Sequence, residues 1–398
     1  MTRSTRLALL GAAAAMVAAG ALAAPGVAAA PPIAEGGKPE AGPKEQFKDE
    51  IRVKGVRNPV TGVEVISETW DKVDWKAKTG SVQSKPSSEA TVTKYGDTPA
   101  DFERGLDALR AGRWEDAEQQ LRGVKSAVEA GKARKFWEAR AAVYLGECRL
   151  RRAAKTRDAA LFTQAAETFQ EAAKAEPKSP LADRLQVGLA EALAGAGKHD
   201  DALKGLDEFR KAAADAGRPV WESRARFARA RVHEARGGVG EAAQEYADLA
   251  SFAQSAAGKA AADSEDRREL EQARIRGLVG QGWALFARAE KTKSPQDVDA
   301  AKRHFDGLPA ATSGAAAGKA AALNGAGGIL LLEGNAADAL DLFVQVEVTQ
   351  FAVPDEVARA LWQKAQACDK LGNGPGREQA LKDLAEFYPG SEWANRAR

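Results

Sequence analysis

The sequence predicts a mainly α-helical solenoid of about seven helical hairpins, preceded by a small β-rich segment. Three observations carry this expectation. From Tyr95 to the end, apolar residues follow the helical period. Within that stretch, a pattern of a small residue, a reversing Gly, a second small residue and a large apolar residue one turn later returns seven times. Between Glu50 and Tyr95 the apolar period is instead two, as in half-buried strands.

Residues 1–30 read as a cleaved signal peptide. Arg3 and Arg6 give a basic start, Leu7 through Ala24 is apolar, and Pro25 and Pro31 follow among small residues. Cleavage is expected after Ala21-Leu22-Ala23 or within Val27 to Ala30. The alternative is a retained anchor, since the run approaches the ~20 residues that cross a bilayer, but alanine is weakly hydrophobic for that purpose. No Cys lies near the cleavage region and no Arg-Arg pair precedes it, which argues against lipid anchoring and twin-arginine export. Residues 31–46, with Pro31, Pro32, Gly36, Gly37, Pro39, Gly42 and Pro43, lack an apolar period and read as a flexible linker.

Residues 47–96 form the small β-rich segment. Ile51 with Val53, Val63 with Val65, Val73 with Trp75, and Val92 between Thr91 and Thr93 suggest three or four strands, interrupted at Asn58-Pro59 and Thr79-Gly80. So short a segment holds little core of its own, so a meander or incomplete barrel leaning on the first helices is expected.

A stacked hairpin needs a small residue where its helices cross, a large apolar residue one turn on, and a Gly where the chain reverses. The first unit supplies Gly105, Gly112, Ala117 and Leu121. The second supplies Ala141, Ala165 and Phe169, with Ala172 and Pro177 beyond. Then come Ala190, Gly197, Ala202 and Leu206; Ala230, Gly237, Ala242 and Tyr246; and Gly280, Ala301 and Phe305. Gly327, Gly334, Ala339 and Phe343 follow, and the last unit has Ala365, Gly372, Ala380, Leu384 and Pro389.

This pattern resembles the tetratricopeptide repeat (TPR) family, whose unit has small residues in both helices, an aromatic or Leu a turn after the second, and a closing Pro. Leu161 to Pro177 matches best, and Leu384 to Ser391 looks like a family terminus. The resemblance covers about Thr98 to Arg398. It implies a right-handed α-solenoid of TPR-like hairpins over residues 97–398, whose first helices line a concave face that binds protein or peptide partners. Successive second-helix alanines lie 48, 37, 40, 59, 38 and 41 residues apart, against the family period of about 34. The extra residues fall notably at Arg149 to Leu161 and Ala287 to Val298.

Lys and Arg number 58 against 56 Asp and Glu, and Arg3 and Arg6 lie in the expected signal, so the mature chain is near neutral (58 − 2 − 56 = 0). Nucleic-acid binders usually carry a basic excess, so none is expected as a partner. Catalysis finds little support. His199, His233 and His304 fall in different units without metal-ligand spacing and read as surface or turn residues. Ser313 to Ala320 lacks the first Gly and the final Ser or Thr of a phosphate loop, and no nucleophile elbow or His-Glu-x-x-His helix occurs. Neither cofactor nor metal is expected. Cys148 and Cys368 sit in distant helical units and read as buried free thiols.

The candidate site is a basic stripe. Six residues before the chosen first-helix small residue stand Lys135, Arg184, Arg224, Arg274 and Arg359. Positive charge in the first turn of a helix opposes its dipole by about 0.3 to 1 kcal/mol, so a recurrence there points to an acidic partner along one rim of the groove. The Lys and Asn clamp by which some family members hold a chain-terminal carboxylate has no counterpart here: the matching positions hold Phe102 and Leu106, Val187 and Glu191, and Phe227 and Arg231. Most tryptophans read as core, with Trp70 and Trp75 wedging the β segment against the array. Together these features suggest an exported, non-catalytic interaction scaffold, periplasmic or extracellular. The alternative is a structural or self-associating envelope protein in which the β segment does the recognising.

Overall fold

The computed structural model describes residues 48–397; the expected signal peptide and the whole of the expected linker lie outside the described residues. Phe47–Arg398 forms one compact unit. Five strands come first: β1 (Asp49–Val53), β2 (Val60–Glu68), β3 (Lys72–Lys76), β4 (Val82–Pro86) and β5 (Ala90–Lys94). Every neighbouring pair is antiparallel, in the order β4-β3-β2-β1-β5. In a flat sheet β5 and β3 would stand three strand spacings apart, about 14 Å. They touch, so the sheet curls into an incomplete barrel around Ile51, Val63, Val65, Val73, Trp75 and Ala90. The sequence reading missed β4, whose five residues are all exposed and therefore show no alternation.

Fifteen helices follow among the described residues. They pair as α1 (Ala100–Arg110) with α2 (Trp114–Glu129), α3 (Phe136–Thr156) with α4 (Ala159–Ala175), and α5 (Ala182–Gly195) with α6 (His199–Asp215). Next are α7 (Pro219–Ala235) with α8 (Val239–Lys259), and α9 (Glu265–Thr292) with α10 (Pro295–Ala311). The last pairs are α11 (Ala316–Leu332) with α12 (Ala336–Thr349), and α13 (Pro354–Lys370) with α14 (Gly374–Phe387); α15 (Glu392–Arg396) closes the chain. Each first helix packs on the next first helix throughout the array, whereas second helices do not pack comparably on one another. The first helices therefore form the inner layer of a solenoid of TPR-like hairpins.

The seven second-helix alanines, Ala117, Ala165, Ala202, Ala242, Ala301, Ala339 and Ala380, are all fully buried. The large residue four positions after each is buried too: Leu121, Phe169, Leu206, Tyr246, Phe305, Phe343 and Leu384. First helices close on these large side chains from both sides. A Cβ on Gly146 would lie 2.8 Å from Phe169, and one on Gly188 of the next unit 2.5 Å from it. Gly282 at 2.8 Å and Gly325 at 2.4 Å enclose Phe305 in the same way, Gly105 meets Leu121 at 2.7 Å, and Gly327 meets Phe343 at 2.5 Å. Side chains interdigitate at this density only where a Cβ is absent.

These contacts correct the expected register. The crossing positions are Gly105, Gly146, Ala190, Ala230, Gly282 and Gly327, so Ala141 gives way to Gly146, and Gly280 to Gly282; Gly280 instead faces Tyr246 of the preceding unit. The cause lies at the hairpin tips. In the first, third, fourth and sixth units a left-handed Gly (112, 197, 237, 334) precedes the second-helix alanine by five residues. In the second and fifth units the left-handed residue is Arg157 or Lys293, eight residues before Ala165 or Ala301, which adds about one turn to each limb. Gly372 likewise stands eight before Ala380, moving the seventh crossing from Ala365 back toward Leu361.

Candidate partner-binding groove

The corrected register moves the basic stripe. Six residues before the crossing positions stand Pro99, Arg140, Arg184, Arg224, Arg276 and Ala321. Arginine thus occupies the equivalent place in four consecutive units, the second to the fifth. Of the five residues expected from sequence, only Arg184 and Arg224 belong to this row. Lys135 is the residue before α3. Arg274 points toward the end of α10, donating to the Ala311 carbonyl at 2.6 Å and to Glu271 at 3.0 Å. Arg359 lies in a separate cavity. The five do not form one rim.

Arg140 is buried, 3.1 Å from Glu68 and 3.6 Å from Glu176, and its guanidinium lies over the Phe136 ring. That end of the row is spent on fastening the sheet. Arg184, Arg224 and Arg276 line a cavity of about 360 Å³ on the inner face, with Arg151 from α3. Four carboxylates face them: Glu147, Asp183, Glu191 and Glu269. Arg184 pairs with Glu147 at 2.7 Å and covers Tyr144. Arg224 pairs with Asp183 and, at 2.6 Å, with Glu269. Arg151 and Arg276 are exposed and have no ion pair or hydrogen bond among the described residues. Glu191 also faces the groove without a hydrogen bond or ion pair among the described residues, and burial by the groove walls pushes its carboxyl up. Free charge in this groove is therefore mainly positive, and it sits on Arg151 and Arg276, which sequence reading did not select. The Gly282 crossing was the signal that would have found Arg276.

The sheet is fastened to the inner layer by charge and aromatic contact. Arg134 donates to Asp49 at 2.8 Å through both terminal nitrogens, to Asp97 through Nε at 3.0 Å, and to the Val65 carbonyl at 2.8 Å. Both carboxylates are fully buried. Trp70 stacks on Trp221 of α7 at 5.8 Å, as the wedge expectation requires, whereas Trp75 belongs to the sheet's own core.

Among the described residues no group of three or more His, Cys, Asp and Glu is placed to hold a metal ion. No described helix is long and apolar enough to cross a membrane. His233 departs from the surface expectation: it is buried, and desolvation lowers its pKa.

No family model matches the chain, and no curated protein matches it. Among solved structures it is similar to a Rap protein complexed with competence and sporulation factor, at 12% identity over 75% of each chain with a TM-score of 0.42. It is also similar to the TPR domain of P58(IPK), at 13% identity over 75% of this chain and 95% of that one, with a TM-score of 0.24. Likeness at these values carries no argument about function; the fold assignment rests on the packing described above.

Proposed function

We propose that the chain is an exported, non-catalytic scaffold of the cell envelope, periplasmic or extracellular, whose inner groove takes an acidic segment of a partner protein. The observation that carries this reading is the pair of exposed, unpaired guanidiniums, Arg151 on α3 and Arg276 on α9, either side of two internally neutralised arginines. Because Arg184 and Arg224 already hold acids, a partner carboxylate gains most from Arg151 and Arg276. Three first-helix spacings of about 8 to 10 Å separate α3 from α9. An extended segment of about eight residues spans that distance. The amino-terminal signal pattern supports export.

The test is capture from envelope extract with the mature chain and with the double variant Arg151→Glu/Arg276→Glu, each washed at low and high salt. Loss of the main captured protein in the variant, and at high salt in the wild type, is expected. Capture that is equal in both proteins and insensitive to salt would remove the basis of the proposal.

A further inference from the structure

A second cavity, of about 310 Å³, lies between α7, α9, α13 and α15. Among charged residues, its wall holds Phe286 and three indoles, Trp283, Trp362 and Trp393. Arg359 enters between two of these, its guanidinium carbon 3.4 Å from the Trp283 ring centre and 4.3 Å from that of Trp393. The stacking fixes the plane of the guanidinium and leaves its N–H edge to the cavity. That edge makes no hydrogen bond among the described residues. Its nearest carboxylate, Glu356, stands 3.9 Å away. Glu356 already accepts from Trp283 Nε1 at 3.1 Å and from Asn324 Nδ2 at 2.8 Å. Desolvation pushes the Arg359 guanidinium down to about 10, as expected of a cation set in an apolar slot without a close counter-ion.

Two further groups on the same cavity have no partner in the protein among the described residues. Gln363 is 3% exposed, and its Oε1 is buried with no hydrogen-bond partner among the described residues. A buried acceptor left open costs about 1 to 3 kcal/mol, so such atoms usually meet a partner. Glu290 faces the cavity with no ion pair or hydrogen bond among the described residues. The remaining charges there are taken: Arg231 pairs with Glu234 at 2.9 Å and Arg396 with Glu392 at 2.6 Å. One positive group, one negative group and one acceptor therefore stand open beside a cluster of aromatic rings.

We propose that this cavity binds a free α-amino acid with an aromatic or large aliphatic side chain. The carboxylate lies on Arg359, the ammonium on Glu290 and the Gln363 oxygen, and the side chain among the tryptophans. The volume suits this ligand class, which brings both charges on one small molecule. A peptide, by contrast, separates its two terminal charges by the length of its chain. The assignment does not depend on the α3 to α9 groove taking a partner.

The test is calorimetric titration of the mature chain with L-phenylalanine and L-leucine, beside N-acetyl-L-phenylalanine, L-phenylalanine amide and the dipeptide Phe-Phe. Saturable binding of a free amino acid is expected, with affinity reduced about tenfold or more by acetylating its amine or amidating its carboxylate. Glu290→Gln should weaken the free amino acid while leaving the residual binding of the acetyl derivative unchanged. Glu290 is exposed, so this variant is expected to fold; Arg359→Gln should abolish binding. Absence of saturable heat for every free amino acid, equal affinity for the blocked derivatives, or preference for the dipeptide would each overturn the proposal.

Discussion

Replacing Arg134 by Met should detach the sheet from the helical array. Arg134 bridges Asp49 and Asp97, whose carboxylates are fully buried, and also holds the Val65 carbonyl. In the variant Asp49 keeps the amides of Val65 at 2.7 Å and Gly96 at 2.8 Å, and Asp97 keeps only the backbone amide of residue 134 at 2.8 Å from its Oδ2 among the bonds that Arg134 supplies. Breaking a buried pair from one side costs about 3 to 5 kcal/mol, because an uncompensated charge stays behind. In a repeat array that loss is local, so global melting is a poor readout and amide exchange in β1, β2 and α3 a good one. Exchange there should accelerate by about a hundredfold or more at neutral pH. The pH dependence has a definite sign. Arg134 holds Asp97 below the usual carboxylate range despite the opposing effect of burial. A depressed native pKa contributes stability above the unfolded pKa of about 3.9 and loses it as pH falls through the native value. The Arg134→Met substitution removes that contribution, so the difference between variant and wild type should hold from neutrality to about pH 4 and shrink as the pH falls below it. Acceleration below about fivefold, which is less than 1 kcal/mol, would refute the account. So would a difference that stays flat as the pH falls from about 5 to 2.

Two further outcomes follow from the packing. Gly188→Ala should destabilise the junction of the second and third units. A Cβ there meets Phe169 at 2.5 Å, and overpacking costs about 1 to 3 kcal/mol against a helix-propensity gain of about 1. The same change made together with Phe169→Leu should cost less than in the wild type, read as exchange in α4 and α5; an unchanged cost would count against the clash. Cys148 and Cys368 are buried, and burial pushes the Cys148 thiol up to about 12 and raises that of Cys368. Ellman's reagent at pH 8 should find no reactive thiol in the folded chain and two after denaturation. A thiol reacting before unfolding, or fewer than two after it, would contradict this arrangement.

Much of the architecture is readable from residue size alone. All seven second-helix alanines and the large residues four positions on were legible, because each helix tip buries that pair whatever the unit's length. The first helices were less legible for a definite reason. Where Arg157 or Lys293 takes the left-handed turn, the Gly that marks a reversal is missing, and α3 and α9, at 21 and 28 residues, offer several small residues as candidates. Choosing Ala141 and Gly280 displaced the reading by five and two residues, and that was enough to select Lys135 and Arg274 over Arg140 and Arg276. The aromatic cavity was illegible. It assembles Glu290, Arg359, Gln363 and Trp393 from three helices, and no local period links them.

Arg157 donates to the carbonyl of Asn395 at 2.7 Å across 238 residues of sequence, and Glu392 stands 3.9 Å from Arg231. An ordinary array has two loose ends and melts inward from either, since a terminal unit answers to a single neighbour. Here the last helix answers to the second and fourth units as well as to its own. The carboxyl-terminal end cannot peel away without letting go of the middle, so melting should begin elsewhere, and shortening the chain by its last eight residues should loosen segments more than 150 positions upstream.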